Sequence, residues 1–512
     1  MDLVKSQLVN GDANLSVTEN GAVGFKTTGR KLLDMNFAVS SMRNMNDAAI
    51  ADMFADACAE DMNTAIVWLF FARDVRGGLG ERRLFRVCMK YLAREFSDKV
   101  RKIMPLIAEY GRWDDLIDLC DTKVRANAYA IIRSQLTRDM SGMKEGKSVS
   151  LLAKWMPSEN ASSYETKRKA EDMRKAMGLT PRVYRIVLSK LRKYIDVIER
   201  KMSSGEWESI SYEAVPSRAN LIYNSAFLRH DEERRREYLS KLEKGKAKIN
   251  ASTLFPHDIV HKYGSTRYRR DAKVDPAVEA LWKSLPNTVE DDGGTIVVAD
   301  GSGSMSSCIG NSNVTALEVA NALAIYFAER LSGPYKNQYI TFSEHPQLVD
   351  LSGASTLFGK LGIAYRHNEV SNTNIEAVFD LILDTAVTNR LEQKDLPKNI
   401  LIISDMEFDS CATCGSCRNR WSVNQPKKTL FDQIARKYAQ YGYRLPRLVF
   451  WNVCSRTGTI PVKESDLGVA LVSGFSPNVA KMVMSGKLDP IDALMDTLNS
   501  ARYDAVRQAL AS

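Results

Sequence analysis

One short stretch carries oxygen-bearing side chains at a spacing suited to a metal: Asp300-Gly301-Ser302-Gly303-Ser304. One carboxylate and two hydroxyls at alternate positions offer three oxygen ligands. The glycines permit the tight backbone path that turns them inward. Hard cations such as Mg²⁺ take oxygen ligands in near-octahedral geometry and keep several waters. The stretch directly follows residues 295–299, an apolar run of buried-strand type, and ligands of open α/β sheets bind beyond the carboxyl ends of the strands. The same Ser/Gly-rich loop could instead cap the next helix without metal.

A second cluster, Cys411, Cys414 and Cys417, forms C-x₂-C-x₂-C. Two knuckles sharing one cysteine could chelate Zn²⁺, but a closed site needs a fourth ligand. Cys454, at the end of a later strand-like run, is the candidate, and Cys308 behind the Asp300 loop is another. An iron–sulfur cluster is a further reading of these thiols; a surface loop with free thiols is the plainer one. Cys58, Cys88 and Cys120 stand singly in a chain of 512 residues. A disulfide scaffold would be denser, so a reducing, cytoplasmic setting is expected.

Cations interleave with aromatics in two places. Residues 167–201 are dense in Lys and Arg, and Arg185, Lys190, Arg192 and Lys193 share the polar face of a helix there. Residues 261–270 bring Lys262, Arg267, Arg269 and Arg270 beside two tyrosines. Cations neutralise phosphates and aromatics stack on bases, so both are candidate RNA contacts. Each reads equally as a solvated surface. Arg73 to Arg83 is glycine-rich but lacks the Gly-Lys-Ser/Thr ending of a phosphate-binding loop. Its glycines predict a turn, with Arg73, Asp74, Glu81 and Arg82 pairing across it. No H-E-x-x-H or G-x-S-x-G is present. His257 and His261 are the sole close histidine pair, and Pro256 and Gly264 predict a short turn around them. The chain is therefore expected not to be an enzyme.

The elements that must position these groups fall into two halves. Residues 29–285 read as helix after helix, as at 48–72, 82–95, 100–110 and 113–120. Thr180 and Pro181 open another, as N-cap and first helical residue. Its apolar stripe is read as Val183, Ile186, Val187, Leu191, Tyr194 and Ile198. The pattern implies an α-solenoid or irregular helical array. From about residue 290 strands alternate with helices: strands at 295–299, 338–342, 399–403, 447–451 and 469–472, helices at 314–331, 374–389 and 428–441. That alternation implies a doubly wound parallel sheet. The first 285 residues hold roughly 50 Lys and Arg against roughly 38 Asp and Glu, about +12, and the remainder about −3. A basic half suits a polyanion such as RNA. No apolar run is long enough to span a membrane, and no secretion signal opens the chain.

The Asp-x-Ser-x-Ser pattern resembles the metal-ion-dependent adhesion site of von Willebrand factor A domains. The resemblance implies a Thr from a second loop and an Asp from a third. Thr373, in Ser371-Asn372-Thr373-Asn374, and Asp405, in Ile403-Ser404-Asp405, match them, with Asp409 as an alternative to Asp405. Such a site leaves a metal position open for a partner's carboxylate or for water, so the implied role is binding. A basic helical array before an A domain resembles the Ro (TROVE-module) ribonucleoproteins. The chain also looks like a family of uncharacterised proteins from plants, bacteria and phages. That likeness rests on Arg73-Asp74 through Gly80-Glu81-Arg82, Gly111-Arg112-Trp113-Asp114-Asp115-Leu116, Lys154-Trp155-Met156-Pro157-Ser158, Val215-Pro216-Ser217-Arg218-Ala219, Phe255-Pro256-His257-Asp258-Ile259 and Ser404-Asp405-Met406-Glu407-Phe408-Asp409.

The expected architecture is α + α/β: an N-terminal segment (1–28), a helical-repeat-like array (29–285) and a von Willebrand A-type domain (290–512). The expected function is a non-enzymatic, RNA-binding scaffold with a divalent-metal site. The alternative is a metal-dependent protein–protein adaptor without RNA.

Overall fold

The computed structural model describes residues 14–21, 23–264, 273–289, 293–368, 374–408, 430–461, 469–480 and 489–511. The chain forms two units, each discontinuous in sequence. One combines Met1–Ala65 with Leu254–Asn499; the other combines Ile66–Thr253 with Ser500–Ser512.

The first unit pairs β1 (Leu15–Val17) with β2 (Val23–Phe25) in a small hairpin and is built on a six-stranded sheet. The sheet's strands are β3 (Thr295–Asp300), β4 (Gln338–Phe342), β5 (Leu348–Asp350), β6 (Asn399–Ser404), β7 (Arg447–Asn452) and β8 (Val469–Ser473). They lie in the order β5-β4-β3-β6-β7-β8, all parallel except β5, which runs antiparallel to β4. The central strands β3 and β6 are buried almost along their whole length and rich in Ile, Val and Leu, as a sheet covered on both faces requires. Helix Ala316–Arg330 connects β3 to β4 and is almost wholly buried. Chain order runs outward from β3 to β4, then resumes on the other side at β6. The gap beyond β3 is thus the point where such a sheet opens a crevice.

The predicted strands and this helix appear where the patterning put them. The readings did not include the three-residue edge strand β5, helix Leu357–Arg366 or the N-terminal hairpin. Three residues are too few for periodicity to register. The hairpin belongs to the sheet unit: Phe25 and Ile460 exchange two backbone bonds of 2.8 Å. Asn452 Nδ2 donates to the Phe37 carbonyl (2.9 Å), and Ser40 N donates to Ser473 Oγ (3.0 Å). Helices Pro256–Gly264 and Pro276–Lys283 join the same unit. Glu279 accepts the first amides of helix Leu357–Arg366, from Leu357 (2.8 Å) and Phe358 (3.0 Å). The change of pattern near residue 290 therefore marks the start of the sheet, not the edge of a unit. The helical unit likewise takes back residues 500–511.

The regular structure described in the second unit is entirely helical. Among the described residues its α-helices run from 4 residues (Ile107–Tyr110) to 20 (Arg125–Lys144), an irregular array without a common repeat. The helix read at 48–72 runs Asp47–Arg73 but is interrupted at Asp61 (φ −154°, ψ 101°). Asp61 caps the second part of that helix, accepting from Thr64 N (3.1 Å) and Thr64 Oγ1 (2.7 Å). The glycine-rich turn forms, with Gly80 at φ +74° and a Cβ at Gly78 only 1.9 Å from the Phe71 carbonyl oxygen. Its charges pair elsewhere than predicted. Arg73 and Arg86 both hold Asp115 (2.7 Å each), and Arg502 holds Asp74 (2.8 Å). No helix among the described residues is long and apolar enough to cross a membrane.

Candidate metal centre

Asp300 is the last residue of β3, and the parallel ladder to β6 fixes what faces it. Ser404, ending β6, donates from Oγ to Asp300 Oδ2 (2.7 Å), while Ser302 N donates to Asp300 Oδ1 (2.9 Å). The hydroxyls of Ser302 and Ser304 lie 3.0 Å apart. Asp405 follows Ser404, and Met406 after it sits at φ +62° with its N–H donating to Ser404 Oγ (3.0 Å). A non-glycine residue in that region is strained, and such strain concentrates at functional sites. A Cβ at Gly301 would stand 2.9 Å from Asn368 Oδ1, so a side chain there would push the Asn368 amide aside.

Asp300 and Asp405 are each only 1% exposed. Burial raises the Asp300 carboxyl to about 7, and the charge of Asp405 adds to the rise. Burial also raises Asp405, against the lowering by the Ser304 hydroxyl and Arg456. Arg456 Nη1 lies 3.3 Å from Asp405 Oδ2, an ion pair rather than a well-formed hydrogen bond, and that oxygen has no hydrogen-bond partner. Two buried carboxylates, one with an oxygen lacking a hydrogen bond, stand beside two hydroxyls. These all-oxygen donors fit a hard divalent cation. Among the described residues no group of three or more His, Cys, Asp or Glu gathers as metal ligands.

Thr373 and Asp409 lie outside the described residues, as do Cys411, Cys414 and Cys417. Cys454 is buried, accepts from Asn44 Nδ2 (3.4 Å), and has its thiol pushed up by burial, which opposes the thiolate that zinc needs. Cys308 is exposed.

Sequence reasoning missed the groups that buttress this loop. Glu407 is fully buried, and its carboxylate accepts from Arg456 N (2.8 Å), Thr457 N (2.8 Å) and Glu19 N (2.9 Å). It thereby ties the hairpin and the loop after β7 to the Asp405 turn. Asn44 Oδ1 accepts from Gly310 N (2.6 Å) behind the Asp300 loop. Glu19 and Asn44 reach these loops from hundreds of positions away, so no local spacing could reveal them.

The cationic candidates divide. Arg185, Lys190 and Lys193 are exposed on helix Pro181–Tyr194. Arg192 is not a free cation. Its guanidinium donates to the carbonyls of Ala153 (2.8 Å) and Met156 (2.7 Å) and to Ser158 Oγ (2.8 Å). Its donors are spent on its own unit, which removes it from the RNA-contact set. The apolar stripe also differs from expectation: Tyr184, Leu188 and Leu191 are buried, while Val183, Ile186 and Tyr194 are about 40% exposed. Lys262 lies on helix Pro256–Gly264 and belongs to the sheet unit, not to the helical one. Arg267, Arg269 and Arg270 lie outside the described residues. His257 and His261 share that helix, where a short turn was expected. His257 packs edge-on against Phe475, and His261 Nδ1 lies 3.1 Å from Glu318.

Two family models match the chain, each described as a domain of unknown function: DUF2828 over residues 158–295 and DUF7788 over residues 294–506. Their junction falls at the first residues of β3. The chain is also similar to an uncharacterized protein, L728, of Acanthamoeba polyphaga mimivirus. The two are 29% identical over 526 residues, covering 95% of this chain and 87% of that protein. Most of each unit therefore lies within the span that the two chains share.

Proposed function

We propose that the chain is a non-enzymatic, RNA-binding scaffold whose sheet unit is a von Willebrand A-type domain with a divalent-metal site. The segregation of charge between the units carries the reading. The helical unit holds about 41 Lys and Arg against about 26 Asp and Glu, a net of about +15, and the sheet unit about −6. This asymmetry exceeds the one obtained by dividing the sequence near residue 285. A strongly basic unit joined to an acidic one concentrates its attraction for a polyanion on one part of the molecule. The likeness in architecture to Ro-type ribonucleoproteins supports the same reading by analogy.

In the sheet unit, Asp300, Ser302, Ser304 and Asp405 would hold the cation, with Mg²⁺ the natural choice for all-oxygen donors. Thr373 would be the further ligand from the second loop. The cation would supply a Lewis-acidic position for an oxygen ligand. The protein's own residues keep the carboxylates buried and aimed, through Ser404, Glu407 and the Met406 turn.

Equilibrium binding of purified full-length protein to labelled RNA, at about 50 and 200 mM salt, tests the RNA role. The expected result is affinity that falls at least tenfold between them, as several phosphate contacts dictate. Absence of binding at low salt overturns it. The paired carboxylates favour a second reading, a metal-dependent protein adaptor without RNA. It predicts a protein partner lost on Asp300→Ala in a preparation that binds no RNA.

A further inference from the structure

Helix Arg125–Lys144 lines a concave groove in the helical unit, a cavity of about 700 Å³. Arg125, Tyr129, Arg133 and Arg138 line it, with the small side chains of Ala126, Ala130 and Ala176 between them. The sequence pattern does not single out this helix, because its cations are spread over three turns instead of forming a run.

We infer that this groove is a binding site for single-stranded RNA, with the arginines on its phosphates and Tyr129 against a base; the inference rests on the RNA reading above and gives it a location. Four observations carry it. First, the three arginines are exposed, and among the described residues none has a carboxylate partner. Arg138 donates only to the neutral Gln135 Oε1 (2.7 Å). Elsewhere in this unit exposed cations are often paired, as Lys175 is with Glu171 (2.7 Å) and Arg236 with Glu232 (2.8 Å). Three unpaired arginines around one cavity make a local field that an anion would satisfy.

Second, Arg125, Tyr129 and Arg133 follow at i, i+4 and i+8, so they form one row along two turns, about 12 Å. A row of that length suits a chain of phosphates better than a single one. Third, the rest of the lining is small, Ala126, Ala130, Ser134, Thr137 and Ala176, which leaves room for a sugar and base where larger side chains would fill the groove. A double helix presents no such inserting group and is read instead by the shape of its surface. Fourth, Tyr129 is half-buried. Burial pushes its phenol up to about 12, with Cys120, Asp172 and Asp121 adding, so it is neutral at physiological pH. A neutral ring held by its own packing is a stacking platform at low entropic cost.

The test uses full-length protein and a fluorescein-labelled oligouridylate, read by anisotropy at about 50 and 200 mM KCl. Arg125→Gln/Arg133→Gln should weaken binding at least tenfold at low salt. It should also flatten the slope of log K against log salt by about 1.4, two contacts at about 0.7 each for a single strand. Tyr129→Leu should weaken binding roughly fivefold or more. Lys190→Gln/Lys193→Gln, on a different helix, should change it less than about twofold. Circular dichroism and melting confirm that the variants fold, which surface arginines permit. If the native protein binds RNA and the arginine pair changes nothing, the groove is not the site although the RNA reading stands. If the native protein binds no RNA, both fall. If duplex RNA competes as well as the single strand, the single-strand assignment is overturned.

Discussion

Asp300 and Asp405 bring two carboxylates into one buried place, and that arrangement has a thermodynamic signature of its own. In the folded chain the Asp300 carboxyl sits near 7, against an ordinary value of 3.8. Between those values the folded state holds a proton that the unfolded state has released. Stability from this group is therefore fully present below about pH 4 and is lost as pH rises towards 7. A bound cation removes the need for that proton. In EDTA, the melting temperature should fall between pH 5.5 and 7.5, and Mg²⁺ should restore it most at the higher pH. Asp300→Asn removes the buried charge while keeping an oxygen for the Ser302 amide. At pH 7.5 in EDTA it should be more stable than the native chain, by on the order of 1–3 kcal/mol. It should also lose the Mg²⁺ shift. A variant less stable than native in EDTA, or one that keeps the Mg²⁺ shift, would count against a shared-carboxylate metal site. Asp300 was legible in the sequence because Ser302 and Ser304 stand beside it in the same short loop. Ser404 and Arg456 were not, because the register of β6 and the loop after β7 bring them in.

Element by element, the sequence predicted where helices and strands begin more reliably than which face they bury. Helix Pro181–Tyr194 shows why. Thr180 caps it as expected, accepting from Val183 N (3.3 Å). Yet two apolar rows interleave on it, Val183–Ile186–Tyr194 and Tyr184–Leu188–Leu191, and periodicity alone cannot rank them. The neighbouring segment 153–158 decides. The Tyr184 hydroxyl donates to the Pro157 carbonyl (2.8 Å), and Arg192, two turns further on, clamps the same segment. A residue read as a phosphate contact is thus a fastener between two chain segments. Arg192→Ala should leave RNA affinity unchanged and lower unfolding stability by about 2–3 kcal/mol, because two carbonyls and a hydroxyl lose a charged donor. A denaturant titration checks it. Loss of RNA binding with unchanged stability would return Arg192 to the binding surface.

On the scale of the whole molecule, the helical unit is not closed by its own stretch of sequence. Asp74 is fully buried; the nearby Arg76 N donates to it (3.0 Å), but its charged partner comes from the far end of the sequence: Arg502 Nε (2.8 Å) and Nη2 (3.2 Å), beside the Tyr503 ring. Tyr503 stacks on Tyr110 (5.7 Å between centroids) and meets Phe71 edge-on (6.1 Å). Nothing in the spacing of residues 70–120 announces that a segment at the far end of the chain completes their core, which is why the linear division at 285–290 looked sufficient. The hairpin and helix of residues 14–44 make the reverse journey to the sheet unit. A fragment ending at residue 285 would therefore lack both the partner of Asp74 and the sheet edge on which its first residues pack. Removing residues 500–512 from the full chain should leave an uncompensated buried carboxylate, at a cost of about 3 kcal/mol or more, together with a gap in an aromatic cluster. Calorimetry should then show the helical transition moved to lower temperature. The sheet transition should keep its position and its Mg²⁺ dependence, since the bonds that build the Asp300 site involve none of the deleted residues. Arg502→Ala should reproduce part of the helical shift. A truncated chain that melts as the native one does would mean that the terminal helix merely rests on the helical unit and does not close it.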